Sequence, residues 1–266
     1  MKTNIILISI LIVAFLFTGI DKSYTQNFSG KKLVDLTHEF SEESVFWPTA
    51  ENFNIDTVFA GITEKGYYYS AYQFSLAEHG GTHFDAPVHF CEKGQSVEQI
   101  PVERLIGDAV MVDVSADALA NRDYLISIED FEKWEKVNGK IPEDAFVLVN
   151  TGYSRFYPDK EKYMGTSERG AEAVAKLHFP GLDPKAATWL AVVRKVNAFG
   201  LDTPSIDYGQ SVYFETHRNL FKNGVIAFEN LTNLDKLPAK GATVFAFPMK
   251  IKGGSGAPLR MVAMIP

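Results

Sequence analysis

From residue 109 onward, apolar and β-branched residues gather into short runs at 109–114, 145–149, 196–201, 224–228, 243–247 and 261–265. Runs of five or six such residues, bounded by polar or turn-forming positions, predict buried strands. Helix signals fall between them. Ser127 with Asp130 forms a capping pair that opens a helix over 128–137, and Gly139 closes it. Asp183 followed by Pro184 supplies an N-cap and a first-turn proline for a helix running to about 193. A short Ala-rich helix is predicted over 169–177. The stretch 31–74 is strand and loop with many aromatics, and Tyr67, Tyr68 and Tyr69 read as strand in preference to the lining of a site entrance. Strands alternating with helices predict an α/β fold.

The N-terminus departs from this pattern. Residues 5–20 are almost wholly apolar, follow Lys2 and give way to polar residues at 21–27. That order predicts a secretory signal over the first 26 residues, hence a secreted or periplasmic protein. The competing reading is an uncleaved anchor, since sixteen residues lie near the lower limit for spanning a bilayer. No linker or repeat divides the remainder, which reads as one domain over 27–266. Cys91 is the only cysteine, so no intramolecular disulfide can form. The formal charge is −7, with no basic block. That argues against nucleic-acid partners and, once the signal is removed, against a membrane surface.

Chemistry concentrates at 79–89, H-G-G-T-H-F-D-A-P-V-H, where three of the six histidines and one Asp occupy odd positions. In a straight strand, His79 and His83 would lie roughly 13 Å apart, too far to share one ion at about 2 Å each. The chain must therefore bend between them, and Gly80-Gly81 supplies the freedom. Pro87 fixes the exit before His89. Neutral imidazoles and a carboxylate suit Zn²⁺, Mn²⁺ or Fe²⁺. The absence of nearby thiols argues against a structural zinc site. Elsewhere, Glu229 ends an apolar run, where a buried carboxylate needs a cation or donors and an exposed one needs neither. His217 sits among Glu215, Thr216 and Arg218, a polar stretch that reads as surface. His38 and His178 have no carboxylate constellation and read as structural.

The pattern H-x-G-T-H-x-D-x-P-x-H, filled by His79, Gly81, Thr82, His83, Asp85, Pro87 and His89, resembles the signature of cyclase-like metal hydrolases. That family includes bacterial kynurenine formamidases and isatin hydrolases. Further similar elements are Asp35-Leu36-Thr37, Thr151-Gly152-Tyr153, residues 200–207, Thr216-His217, Glu229-Asn230-Leu231 and Pro258-Leu259-Arg260. The resemblance implies a swivelling β/β/α fold, a mixed curled sheet with outer helices, assembled as a homodimer or homotetramer. It implies that His79, His83 and Asp85 hold one divalent metal, Zn or Mn. Asp85 would reach a second ion with His217, and Glu229 would bridge or flank. His89 would be a proton shuttle rather than a ligand, a role suited to a pKa near about 7.

The implied activity is hydrolysis of an amide C–N bond in a small aromatic substrate, either a cyclic amide such as isatin or an aryl formamide such as N-formylkynurenine. A bound metal would acidify water and polarise the carbonyl. Phe46 and Trp47 match positions that contact the substrate ring, although a buried structural Trp fits Trp47 equally well. No charge clamp for an amino-acid substrate is visible, which tilts the reading towards isatin. Other readings are a lactone or ester hydrolase, a lyase on a small cyclic compound, or a metal-binding protein without turnover.

Overall fold

A computed structural model describes residues 30–266. The secretory segment expected over the first 26 lies outside them. The strands are β1 (Lys32–Asp35), β2 (Asn54–Ile62), β3 (Tyr68–Ser75), β4 (His83–Asp85), β5 (Ile106–Asp113), β6 (Leu125–Ile126), β7 (Phe146–Asn150), β8 (Gly181–Leu182), β9 (Ala198–Leu201), β10 (Ile226–Glu229), β11 (Lys240–Pro248) and β12 (Gly256–Ile265). The α-helices are α1 (Ser115–Ala120), α2 (Ile128–Asn138), α3 (Lys160–Met164), α4 (Ala171–Val174), α5 (Pro184–Trp189) and α6 (Glu215–Phe221).

Strands β5, β7, β9 and β10 run parallel at the centre of one sheet. β4 pairs antiparallel with β10 on one side and with the start of β12 on the other. β12 pairs with β11, and β11 returns to β5, so seven strands close a ring. β1 extends it along the far half of β12. The expected mixed, curled sheet with outer helices is what the chain forms.

Alternation along the strands explains the closure. Phe146 and Leu148 point into the ring, whereas Val147 and Val149 point out beneath the helices. Both faces are buried, so each central strand reads as an unbroken apolar run. The interior is close-packed, with Ala198, Ala246, Ala257 and Ala263 beside Phe84, Phe146 and Phe228. A Cβ on Gly107 would sit 2.8 Å from the Phe146 ring. Truncating Phe146 to Ala there would cost about 3–5 kcal/mol.

The outer helices follow their sequence signals closely. The Asp130 carboxylate accepts hydrogen bonds from the Ser127 amide and hydroxyl, both at 2.9 Å, and opens α2. Phe131 and Trp134 turn its inner face onto the sheet. Asp183 caps α5 through the Lys185 amide at 2.6 Å. That helix ends at Trp189 and continues as a π-turn over Leu190–Arg194. The predicted helix 169–177 shrinks to α4, because Gly170 at φ 93° breaks the backbone before it. The strand expected over 224–228 starts at Ile226, because Gly224 at φ 73° still belongs to the turn leaving α6.

β2 and β3 form a separate hairpin, almost wholly exposed along both strands. Among the described residues no helix is long and apolar enough to cross a membrane.

Candidate metal centre

Three residues of β4 lay the foundation. Phe84 turns into the ring and is fully buried, so His83 and Asp85 must face outward. Register places Glu229 of β10 opposite His83, and Gly256 of β12 opposite Asp85. The expected bend precedes β4. Gly81 has φ 56°, and its amide donates to Val45 O at 2.8 Å. A Cβ on Gly80 would overlap Phe46, and one on Gly81 would lie 2.6 Å from the Phe40 ring. Both glycines are therefore required by contact, and Gly81 by conformation as well. The turn carries His79 back until Nδ1 lies 2.7 Å from Asp85 Oδ1. Beyond β4, Pro87 begins a single 3₁₀ turn that folds His89 over the site. The His89 ring stacks on His79, with centroids 3.7 Å apart and planes 17° apart.

His217 arrives on α6, and here the sequence expectation fails. It is 3 % exposed, not a surface residue. Asp207 explains this by accepting from the Thr216 and His217 amides at 3.1 and 3.2 Å, which pins the helix start. His217 Nδ1 lies 2.6 Å from the same carboxylate. The helix then buries Leu220 and Phe221 with the imidazole.

Ring tautomers follow from these partners. His83 Nδ1 faces Gly81 O at 2.9 Å, an acceptor only, so it carries the proton. His217 Nδ1 donates likewise to Asp207. Each ring thus turns a bare Nε2 inward. His83 Nε2 lies 3.2 Å from Asp85 Oδ1 and 3.4 Å from Glu229 Oε2. His217 Nε2 lies 3.5 Å from Asp85 Oδ2 and 3.1 Å from Glu229 Oε1. Among the described residues, His83 Nε2 and Asp85 Oδ2 are buried without a hydrogen-bond partner. Bare nitrogens facing carboxylates need positive charge between them. Two ligands each about 2.1 Å from a tetrahedral ion lie roughly 3.4 Å apart, which these gaps match.

The pKa shifts register the same demand for positive charge: with no cation between them, the carboxylates draw a proton onto the inward Nε2 atoms, the place a metal ion would take. Burial opposes a charged His83, yet Asp85 and Glu229 outweigh it and raise the ring to about 9. Burial likewise opposes charge on His217, but Asp207, Asp85 and Glu229 hold it well above the usual histidine range. Asp85 stays well below the carboxylate range: burial pushes it up, and His83, His217 and His79 more than reverse this. His89 differs. Burial, then the neighbouring imidazoles, lower it to about 3 against the pull of Asp85, so it is neutral and well under the value near 7 expected from its role.

All six expected groups converge. Two overlapping sets share Asp85: His79, Asp85 and His89, and His83, Asp85 and Glu229, each with donor atoms within 4.8 Å. His89 therefore lies within ligand reach, although it was expected to be a shuttle only. Phe46 and Trp47 line a cavity of about 270 Å³ over these residues, with Val45, Phe90, Pro204 and Phe214. Phe46 is buried under Gly80, while Trp47 is partly open and meets Phe179 edge-on at 6.4 Å. His38 stays outside, stacked on Tyr157 at 3.8 Å, with its amide held by Thr82 Oγ1.

Sequence reasoning missed Asp207, Ser255, Glu78 and Gly256 as parts of this centre. Asp207 closes the run 200–207, one of the elements that resemble the cyclase-like family, and was within reach of a motif reading. Ser255 and Gly256 meet His79 only through the fold. Asp202, in the same run, is structural: its carboxylate accepts from the Thr151 amide and hydroxyl at 2.8 and 2.7 Å.

A model of the Cyclase family matches residues 34–208. An isatin hydrolase from Roseibium aggregatum is 33% identical over 199 residues, covering 72% of this chain and 73% of that protein. A kynurenine formamidase from Salinibacter ruber is 27% identical over 230 residues, 86% of this chain and 96% of its own. Among solved structures, isatin hydrolase A from Ralstonia solanacearum superposes with a TM-score of 0.81 at 33% identity, covering 90% of this chain and 93% of the other.

Proposed function

The chain belongs to the Cyclase family, and from that premise we propose that it is a metal-dependent hydrolase that opens the C–N bond of a small, uncharged aromatic amide of the isatin type. One observation carries the substrate reading. The cavity over the carboxylate–imidazole cluster is walled largely by aromatic and aliphatic side chains and, among the described residues, is lined by no Lys or Arg. A carboxylate-bearing substrate such as N-formylkynurenine would enter without a cationic partner, at a desolvation cost. A flat neutral ring loses little on entry and can stack on Trp47.

His79, His83, Asp85, His217 and Glu229 would hold one or two ions of Zn²⁺ or Mn²⁺, since the donors are imidazole and carboxylate. A divalent ion there supplies a Lewis acid for the carbonyl and acidifies water. The chain's own contribution is orientation and proton transfer. His89 is placed by geometry for the proton transfer: stacked on His79 and lining the cavity, it would accept a proton from the attacking water and return it to the leaving nitrogen. The Val45–Trp47 wall and Phe214 exclude bulk water from the ring.

A homodimer or homotetramer is part of this reading, supported by the exposed apolar β2–β3 hairpin. So is secretion, which rests on the leader outside the described residues. The test is turnover of isatin, N-formylkynurenine and a simple lactone by chelated protein, before and after adding Zn²⁺ or Mn²⁺. Metal-dependent opening of isatin, faster than either alternative, is expected. Preference for the formamide or the lactone would reassign the substrate. Metal uptake without turnover of any would leave a binding protein.

A further inference from the structure

Glu78 and Ser255 stand beside the metal-binding cluster without offering it a donor. Ser255 opens β12 from the loop, and its hydroxyl donates to Glu78 Oε2 at 2.7 Å while its amide donates to the same oxygen at 3.0 Å. That hydroxyl has one proton, and an ionised carboxylate can only accept, so the proton is committed to Glu78. The oxygen also lies 2.9 Å from His79 Nε2. With its proton directed elsewhere, Ser255 Oγ faces the imidazole as an acceptor, and His79 must carry its proton on Nε2. Nδ1 is then bare, and it is the atom that lies 2.7 Å from Asp85 Oδ1.

The backbone around Ser255 is shaped for this. A Cβ on Gly254 would sit 3.0 Å from Glu78 Oε1, and one on Gly256 would sit 2.4 Å from His79 Cε1. The Gly-Ser-Gly sequence at 254–256 therefore admits Glu78 on one side and the His79 ring on the other. His79 needs such a hold more than its companions. Its side chain is 24% exposed, against 2% for His83 and 4% for His217.

We infer that Glu78 and Ser255 are positioning residues that fix the His79 tautomer, so that His79 offers Nδ1 to the metal while His83 and His217 offer Nε2. The relay also holds the ring on which His89 stacks, so it sets the angle of the proton-carrying imidazole. This inference rests on the metal-site reading of the preceding subsection. Partners of this kind typically alter metal affinity 10- to 100-fold.

Two measurements test it. The first is ring-nitrogen NMR of histidine-labelled, zinc-loaded protein. It should show His79 protonated on Nε2 and bound through Nδ1, and the reverse for His83 and His217. Coordination of His79 through Nε2 would overturn the inference, and this readout needs no variant to fold. The second is zinc affinity by chelator competition for Ser255→Ala, Glu78→Gln and the double variant. Each single change should weaken binding about 10- to 100-fold, and the double variant should be no weaker than the weaker single one, because both act through one ring. Affinities within twofold of the parent would sink the positioning role alone. A parent protein that takes up no zinc would sink the metal-site reading as well.

Discussion

Two β-segments of this chain invert the usual relation between composition and burial. β4 contains two ionisable residues in three and is completely buried. The β2–β3 hairpin carries Ile55, Val58, Phe59, Ile62, Tyr68, Tyr69, Tyr72 and Phe74 exposed to solvent. The difference lies in neighbours. β4 is hydrogen-bonded on both edges, by β10 and β12, and its charges face other charges. Among the described residues the hairpin pairs only with itself, and an isolated two-stranded ribbon is marginal in water. Polarity alone therefore predicts neither location. Buried charge marks the chemistry, and exposed apolar surface marks a face that needs a cover.

The largest effect should come from β4 itself. Asp85→Asn keeps the shape but removes the charge that faces three imidazoles. Bound metal by elemental analysis and turnover should both fall to background, and a full complement of metal in that protein would show that the carboxylate is not the shared ligand. His89→Ala should cut kcat by about 10²–10⁴-fold with metal retained. Metal loss in step with activity would instead make His89 a ligand, as its proximity to His79 and Asp85 allows.

A third test contrasts a half-buried imidazole outside the cluster. Burial lowers His38 to about 4, against 6.5 in the unfolded chain. A lowered folded value means that the unfolded chain binds the extra proton. Its stabilising contribution is therefore complete above pH 6.5 and lost as pH falls from 6.5 to 4. The loss is at most about 3 kcal/mol, and denaturant midpoints of His38→Gln should be flatter over that window. An unchanged pH slope would place the acid sensitivity elsewhere. The smallest intrinsic effect belongs to the hairpin. Val58→Lys with Ile62→Lys should alter subunit stability by about 0.5 kcal/mol or less. In sedimentation, however, it should shift an assembled protein towards monomer. An assembly indifferent to both charges would move the contact to another face.

Much of this architecture was legible because central strands buried on both faces leave continuous apolar runs, as at 145–149. The cluster was legible where its ligands are close in sequence: His79, His83, Asp85 and His89 fall within eleven residues, and the Gly80-Gly81 bend could be deduced from reach alone. His217 was not, because what buries it is Asp207, ten residues away, whose carboxylate captures two amides of α6. Ser255 was not, because its partners Glu78 and His79 are more than 170 residues distant. The hairpin was seen as strand but not as exposed, since pairing, not composition, decides that.

β4 is also the shortest link in the ring: three residues join β10 to β12 and close the cylinder. The seam of the barrel and the floor of the reaction chamber are thus the same piece of backbone. Parting β4 from β10 would carry His83 and Asp85 away from Glu229 as one unit, so opening the cylinder on that side opens the site with it. Amide protons of β4 should accordingly exchange with solvent at the pace at which the cylinder opens, and a captured ion should act as the rivet that slows it.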